Sequence, residues 1–297
     1  MTIVQDFLTL FRGRGDAYGS WEGGCVREKV NEDTFLRHLT GEEKVGIYPC
    51  VPNGDVTICA WGCSDIDVDD LDAARNLQTA LLMKNVYSWV EKTRKGYHVW
   101  VFATVPVKAA TMRRALLAAH EACNYPAKEV NPKQENTGTK LGNYVRLPYP
   151  GELTEPCAER FVLDDEENRM ELAQFVSRAL ANRATPDTLE SVAQMYRPPV
   201  MRSVAFDAPI DEVAPLLKRI PALPFVIWRD GPIEGGDRST TLYRLAHRLS
   251  ETDLSPTEAF SIVRNADMRW GKFHLRPDGD KEIEKMIRRA FGVVSGF

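Results

Sequence analysis

Two carboxylates separated by one residue, Asp65 and Asp67, end a run of strand-forming residues that begins at Val56. Side chains alternate between the two faces of a strand, so residues i and i+2 project from the same face. Mg²⁺ and Mn²⁺ prefer carboxylate oxygens as ligands. The pair therefore predicts a divalent-cation site, with the alternative that the D-x-D sequence only begins a turn.

A histidine and two cations follow in a segment typical of a β-hairpin. Residues 86–104 contain two runs of β-branched and aromatic residues on either side of a turn that ends in glycine. His98 lies on the returning strand, and Arg94 and Lys95 lie in the turn before it. Cations and a flexible backbone at one strand edge suit a polyphosphate, whereas a histidine beside aromatic residues is also common in a packed core.

A third group of candidate residues lies between positions 128 and 148. Glu129, in the sequence EVNPKQ, can supply a third carboxylate, and Lys133 and Arg146 can supply two further cations. Taken singly, each of these residues is typical of a solvated surface charge. Their significance lies in their combination with the two groups above.

Alternating strand and helix patterns surround these candidates and predict an α+β fold. Asp69 and Asp70 follow the D-x-D pair and can cap a helix. The predicted strands cover residues 56–67, 86–91, 97–104, 129–134 and 143–147, and the predicted helices cover 71–81, 108–123 and 166–183.

The final third of the chain has helical periodicity. Ser255 can cap a helix that begins at Pro256, with Glu258 completing a capping box. Further helices are predicted over residues 211–219, 240–250 and 280–291, after a proline-containing stretch that looks extended. We therefore predict a catalytic domain over 1–185, a linker over 186–209 and a small helical bundle over 210–297.

Composition limits the classes of protein to which the chain can belong. It has 297 residues and a net charge of −4, which excludes a uniformly basic nucleic-acid coat. The bundle carries 14 basic and 13 acidic residues (+1), which leaves 24 basic and 29 acidic (−5) for the rest. The sequence lacks a long apolar run, a secretory signal and a CxxC pair, so we expect a cytoplasmic protein with no membrane partner and no zinc.

The motifs, taken in order, closely resemble the catalytic core of archaeo-eukaryotic primase superfamily enzymes, especially the primase-polymerases of phages, plasmids and related mobile elements. The resemblance covers about residues 11–151 and rests on the ordered set: the D-x-D pair, the hairpin ending in KGYHVWVF, EVNPKQ and GNYVRLP. It implies an RRM-like catalytic core that performs two-metal nucleotidyl transfer with Mg²⁺ or Mn²⁺. The helices after residue 235 resemble, more weakly, the helical module that accompanies many such primases.

The resemblance also implies roles for individual residues. In that family two Asp residues and a third acid bind the catalytic metals, and these correspond to Asp65, Asp67 and Glu129. The family's histidine contacts the nucleotide phosphates and corresponds to His98, while the basic residue after the proline of the third motif corresponds to Lys133. Three more basic residues are expected at the nucleotide: Arg146, Arg94 and Lys95.

This sequence departs from the family pattern at two places. A serine- and glycine-rich turn often precedes the histidine in the family, whereas residues 93–97 here read TRKGY. Many relatives have an aromatic residue before the proline of the third motif, and here Asn131 occupies that position.

The predicted function is DNA-dependent synthesis and extension of primers on single-stranded DNA from NTPs, dNTPs or both. A helicase, as a partner or as part of a longer chain, is left open. A rolling-circle nuclease would need a second histidine where Trp100 stands. A catalytically silent nucleic-acid-binding protein on the same scaffold is the alternative that remains.

Overall fold

The computed structural model describes residues 2–138, 140–156, 158–198, 200–201, 204–232 and 236–294. The chain divides into two compact units, residues 1–197 and 198–297. The first unit combines helices with antiparallel sheets, and the second is built mainly of helices. This confirms the predicted α+β fold class with a helical C-terminal part.

The first unit contains ten strands and six helices among its described residues. Its strands are β1 Tyr18–Ser20, β2 Cys25–Val26, β3 Val45–Ile47, β4 Val51–Asn53, β5 Val56–Ile66, β6 Trp89–Lys92, β7 Tyr97–Lys108, β8 Glu129–Asn131, β9 Val145–Arg146 and β10 Phe161–Val162. Its helices are α1 Ile3–Phe11, α2 Glu32–Thr40, α3 Leu71–Leu82, α4 Ala109–Ala122, α5 Leu172–Ala181 and α6 Pro186–Ala193.

A six-stranded antiparallel sheet forms the centre of this unit. Its order is β10-β6-β7-β5-β4, and β8 pairs with the C-terminal half of β5. A smaller sheet has the order β2-β1-β3-β9. Strands β5 and β7 are the longest, because each carries an uninterrupted run of β-branched, aromatic and small residues.

Two apolar layers cover the two faces of the central sheet. Helices α3, α4 and α6 pack on one face, around buried residues that include Val99 and Leu116. Helices α1, α2 and α5 and the smaller sheet pack on the other face, around Trp61, Trp100 and Phe175. Alternation along β7 sends His98 and Trp100 to the second face and Val99 to the first.

The second unit contains five helices and one short strand pair among its described residues. Ser255 caps the helix that begins at Pro256 and forms a capping box with Glu258, as predicted from the sequence. The elements are β11 Val200–Met201, α7 Ala214–Leu217, α8 Ala222–Asp230, α9 Arg238–Ser250, α10 Pro256–Trp270, α11 Gly279–Gly292 and β12 Val293–Val294. No helix in the described part of the chain is long and apolar enough to cross a membrane.

The prediction of an extended linker over 186–209 is wrong for its first eight residues. Residues Pro186–Ala193 form α6, which belongs to the first unit and buries Leu189. Thr185 caps this helix and Pro186 occupies its first turn, a position where proline stabilises a helix. We interpreted the proline as a sign of extended backbone and so missed the helix.

Candidate active site

Four polar side chains stand in register across the central sheet. Glu91 on β6 pairs with His98 on β7, His98 pairs with Asp65 on β5, and Asp65 pairs with Glu129 on β8. Side chains at paired positions project from the same face of a sheet and lie next to one another. The fold therefore assembles one polar row from three sequence motifs and a residue, Glu91, that the motifs do not contain.

This row opens into a cavity of about 660 Å³. Seven of the eight predicted site residues line the cavity; the exception, Lys133, forms an ion pair with Glu129 at 3.4 Å. The lining residues are Tyr48, Asp65, Asp67, Thr93, Arg94, Lys95, His98, Glu129, Asn131, Gly142, Asn143, Tyr144, Val145, Arg146 and Arg160.

The β6–β7 turn presents its cations to the cavity because Gly96 permits a close approach of two backbones. A Cβ atom at position 96 would lie 2.0 Å from the carbonyl oxygen of Ile66, which ends β5. The turn is closed by two hydrogen bonds between Thr93 and Gly96. Arg94 and Lys95 are exposed, and neither forms a hydrogen bond or ion pair with a described residue, so both are available to an anionic ligand.

A buried carboxylate orients His98. Glu91 is fully buried, and its Oε2 lies 2.9 Å from Nδ1 of His98 and accepts a hydrogen bond of 2.7 Å from the indole of Trp100. Nδ1 also lies 3.1 Å from a guanidinium nitrogen of Arg160. The other ring nitrogen, Nε2, lies 3.7 Å from Oδ2 of Asp65. Glu91 thus fixes the orientation of the ring, with Nε2 on the side of Asp65.

The electrostatics of His98 favour the imidazolium. Burial lowers the pKa of His98, but its polar neighbours, the carboxylates of Glu91 and Asp65 among them, raise it to well above its ordinary value. Burial raises the pKa of Cys63, so the thiol is neutral and the two carboxylates supply the negative charge. His98 therefore adds a positive charge to the floor of the cavity.

Arg160 supplies a second buried cation that the motifs did not predict. It is 6% exposed, and its guanidinium lies 2.6 Å from Oε1 of Glu91. The Trp21 ring lies under the guanidinium groups of both Arg160 and Arg146, at 5.1 and 5.2 Å from the ring centroid. The indole nitrogen of Trp21 donates to the carbonyl of Val45 and so fixes the ring. Trp21 holds two cavity cations in place by cation–π contact.

The three predicted metal ligands line the cavity without forming a closed ligand set. Among the described residues, no group of three or more His, Cys, Asp and Glu side chains is close enough to hold a metal ion. Burial raises the pKa of Asp65, but His98, Arg160 and Lys133 lower it by more, so this carboxylate is ionised. The donors are all carboxylate oxygens, which fit Mg²⁺ or Mn²⁺.

Two tyrosines form an aromatic wall of the cavity. The rings of Tyr48 and Tyr144 meet edge to face, with centroids 5.5 Å apart. Tyr144 lies flat against Gly19 and Gly46, where any Cβ atom would stand within 2.5 Å of its ring. The glycines therefore create the slot for this ring, and the wall is available for stacking on a nucleobase.

The motifs did not identify Glu91, Arg160 and Trp21. Glu91 ends the first strand of the predicted hairpin, where a charged residue is typical of a turn, and only strand register shows that it faces His98. Arg160 follows a loop without periodicity. Trp21 lies within residues 11–151, over which the chain resembles the primase core, but outside the four motifs that carry the resemblance.

The sequence matches the family model described as TOTE conflict system, Archaeo-Eukaryotic Primase domain, over residues 23–189, more than half of the chain. Among solved structures, the crystal structure of primase RepB′ aligns with 98% of this chain and 95% of its own chain, at 12% identity and a TM-score of 0.31. No curated protein matches significantly. On the family match, the chain belongs to the archaeo-eukaryotic primase domains of TOTE conflict systems.

Proposed function

We propose that this protein is a DNA-dependent primase-polymerase that joins nucleotides on a single-stranded DNA template and extends the resulting primers. Its membership of a primase family supports nucleotidyl transfer in general. The observation that carries the finer proposal is the polar row in which His98, Asp65 and Glu129 share one cavity beside buried Arg160. This row combines ligands for metal ions with cations for a triphosphate.

Asp65, Asp67 and Glu129 are assigned as ligands of two Mg²⁺ or Mn²⁺ ions. When bound, such a pair of ions stabilises the attacking and leaving oxygens of an in-line phosphoryl transfer. The ion pair between Lys133 and Glu129 is exposed on both sides and costs little to open. Once Glu129 turns to a metal ion, the Lys133 ammonium is free to contact a phosphate, which is the role proposed for it.

The cationic residues of the cavity bind the triphosphate. His98 and Arg160 form the buried end of this triphosphate site. Its exposed end consists of Arg94, Lys95 and Arg146. Buried cations fixed by Glu91 are preorganised, so little reorganisation is needed when negative charge moves to the leaving pyrophosphate. No side chain has to form a covalent bond with the substrate.

The alternative is a silent nucleic-acid-binding protein on the same scaffold. Such a protein has no need for a buried Glu91–Arg160 pair aimed at a metal site, since burying charged groups is costly. A rolling-circle nuclease is disfavoured because Trp100, in place of a second histidine, donates its indole N–H to Glu91 and packs in the core.

Primer synthesis on circular single-stranded DNA tests the proposal. NTPs, dNTPs and a mixture of both are supplied in turn with Mg²⁺ or Mn²⁺, and the products are sized on denaturing gels. We expect metal-dependent products that Asp65→Ala, Asp67→Ala or Glu129→Ala abolishes. Asp55→Ala is the control, because Asp55 is an exposed acid at the β4–β5 turn outside the cavity lining. Adding a replicative helicase on duplex DNA asks separately whether one is a partner.

A further inference from the structure

A second row of paired side chains lies next to the polar row and is more deeply buried. It contains one polar residue, Asn131. Two residues further from the mouth of the cavity, Trp89 pairs with Trp100, Trp100 with Cys63, and Cys63 with Asn131. The first three side chains belong to the apolar core. Asn131 shares its sheet face with Glu129, lines the cavity and is 3% exposed.

The side-chain oxygen of Asn131 is buried and has no hydrogen-bond partner among the described residues. Nearby donors are used elsewhere. Arg113 donates to the carbonyls of Val130 and Pro132, on either side of Asn131. The Gln134 amide donates to Asn143 at 2.8 Å. A buried acceptor without a partner costs about 1–3 kcal/mol and is rare in folded proteins unless a ligand satisfies it.

The group that satisfies this oxygen is a hydrogen-bond donor or a cation, and the metal cations are already assigned to the carboxylates of the polar row. The phosphates of a nucleotide only accept hydrogen bonds, so they cannot satisfy Asn131. The donors of a nucleotide are the sugar hydroxyls and the amino and ring N–H groups of the bases. A templated enzyme has to accept four bases whose donors differ, so a fixed acceptor suits the sugar, which all nucleotides share.

The position of Asn131 relative to the metal ligands agrees with the sugar. Residues i and i+2 of a strand are about 6.6 Å apart along its axis, which places Asn131 one such step beyond Glu129. The α-phosphate has to lie at the metal ligands for transfer to occur, and the sugar is the group bonded to that phosphate. We propose, on the basis of the proposed function, that Oδ1 of Asn131 accepts a hydrogen bond from a sugar hydroxyl of the incoming nucleotide and makes the cavity selective for nucleotides that carry it.

Binding of GTP, dGTP and 2′,3′-dideoxy-GTP to the full chain, with Mg²⁺ and without template, tests this inference. We expect the affinity of the wild type to fall about five- to tenfold between two successive nucleotides of this series, and this fall is the step that the variants test. A fall from GTP to dGTP identifies the 2′-hydroxyl, and a fall from dGTP to the dideoxynucleotide identifies the 3′-hydroxyl. In Asn131→Leu, which keeps the size and removes the acceptor, the three affinities should become equal, while inorganic tripolyphosphate binds as it does to the wild type.

Two further variants control for structure. Asn131→Asp keeps an oxygen at the same place, so it should retain the step although its charge weakens all three nucleotides. Asn131→Ala removes the acceptor without adding bulk and replaces the leucine variant if melting shows that leucine prevents folding.

The possible failures are distinguishable. A wild type that binds no nucleotide overturns both the proposed function and this inference. A wild type that binds all three equally, or a folded leucine variant that keeps the step, overturns only the inference. An equal loss for all three nucleotides in Asn131→Leu also overturns it, because that result assigns Asn131 to the shape of the cavity or to the metal ions.

Discussion

The carboxylate of Glu91, fully buried beneath the cavity, lies 2.9 Å from Nδ1 of His98, so a residue that does not reach solvent sets the orientation of one that lines the cavity. Glu91 is also the partner of Arg160. One side chain therefore holds both buried cations of the proposed triphosphate site. This relationship makes Glu91 a positioning residue with a measurable effect on nucleotide use.

Glu91→Gln should weaken nucleotide use about 10–100-fold, because it removes the charge that fixes His98 and leaves Arg160 uncompensated. Loss of one partner of a buried ion pair should also lower the free energy of unfolding by about 3 kcal/mol. Steady-state KM and kcat with a preformed primer, together with urea unfolding, measure the two effects.

Glu152→Gln is the matched control for this variant. Glu152 pairs with Arg169 and does not line the cavity. It should lose stability while the KM for nucleotide is unchanged. Equal kinetic losses in the two variants would assign the effect of Glu91 to stability alone.

Gly96→Ala should damage the site through backbone crowding. The new Cβ atom would meet the carbonyl oxygen of Ile66 at 2.0 Å, so the turn that carries Arg94 and Lys95 has to move. Overpacking of this kind costs about 1–3 kcal/mol. We expect a lower melting temperature and a higher KM for nucleotide.

Gly15→Ala provides the comparison, since a Cβ atom there has no neighbour within 4 Å. It should be close to wild type in both measurements. A Gly96→Ala variant with wild-type KM would show that the turn does not hold the triphosphate.

The sequence predicted the parts of this site that depend on local pattern. Asp65 lies on β5 as its motif predicts, whereas Asp67 follows the end of that strand, and the hairpin fixes the face of His98. Strand register is a long-range property, so the pairing of Glu91 with His98 could not be predicted from either motif alone. Lys133 differs: its motif marks it as a site residue, and its ion pair with Glu129 joins residues only four positions apart.

Acid should destabilise the protein in part through His38. Its Nε2 lies 2.9 Å from the carbonyl of Pro148, and Nδ1 accepts a hydrogen bond of 3.1 Å from the Val45 amide, so the buried ring is neutral. Burial lowers the pKa of His38 to about 4 from 6.5. In this pH range His38 binds a proton in the unfolded chain but not in the folded chain. The free energy of unfolding therefore decreases as the pH falls from about 6.5 toward 4.

The His38 share of this loss should be about 2–3 kcal/mol between pH 7.5 and 4.5. His38→Gln keeps one donor and one acceptor but does not titrate, so its stability should fall less over the same interval. Urea unfolding at both pH values measures the difference. Parallel pH dependences in the wild type and the variant would contradict the assignment.

The helical unit should matter for starting a primer more than for extending one. Joining the first two nucleotides requires the template and the initiating nucleotide to be held without a primer duplex, so additional binding surface is needed. The part of the chain before residue 210 carries net charge −5, which makes it a poor ligand for a phosphate backbone by itself. In the helical unit, Arg248 and Arg264 are tied to Glu251 and Asp280 in ion pairs that are at least one-third exposed and weak enough to exchange for phosphate.

A chain ending at Arg197, the last residue of the first unit, should therefore extend a preformed primer but lose most primer synthesis from single nucleotides. Circular dichroism has to show that the shortened chain keeps its sheet and helices before the two assays are compared. The double variant Arg248→Glu and Arg264→Glu in the full chain tests the same division without truncation, since reversed charges repel the template. Equal loss of initiation and extension, or retention of both, would show that the helical unit does not serve initiation.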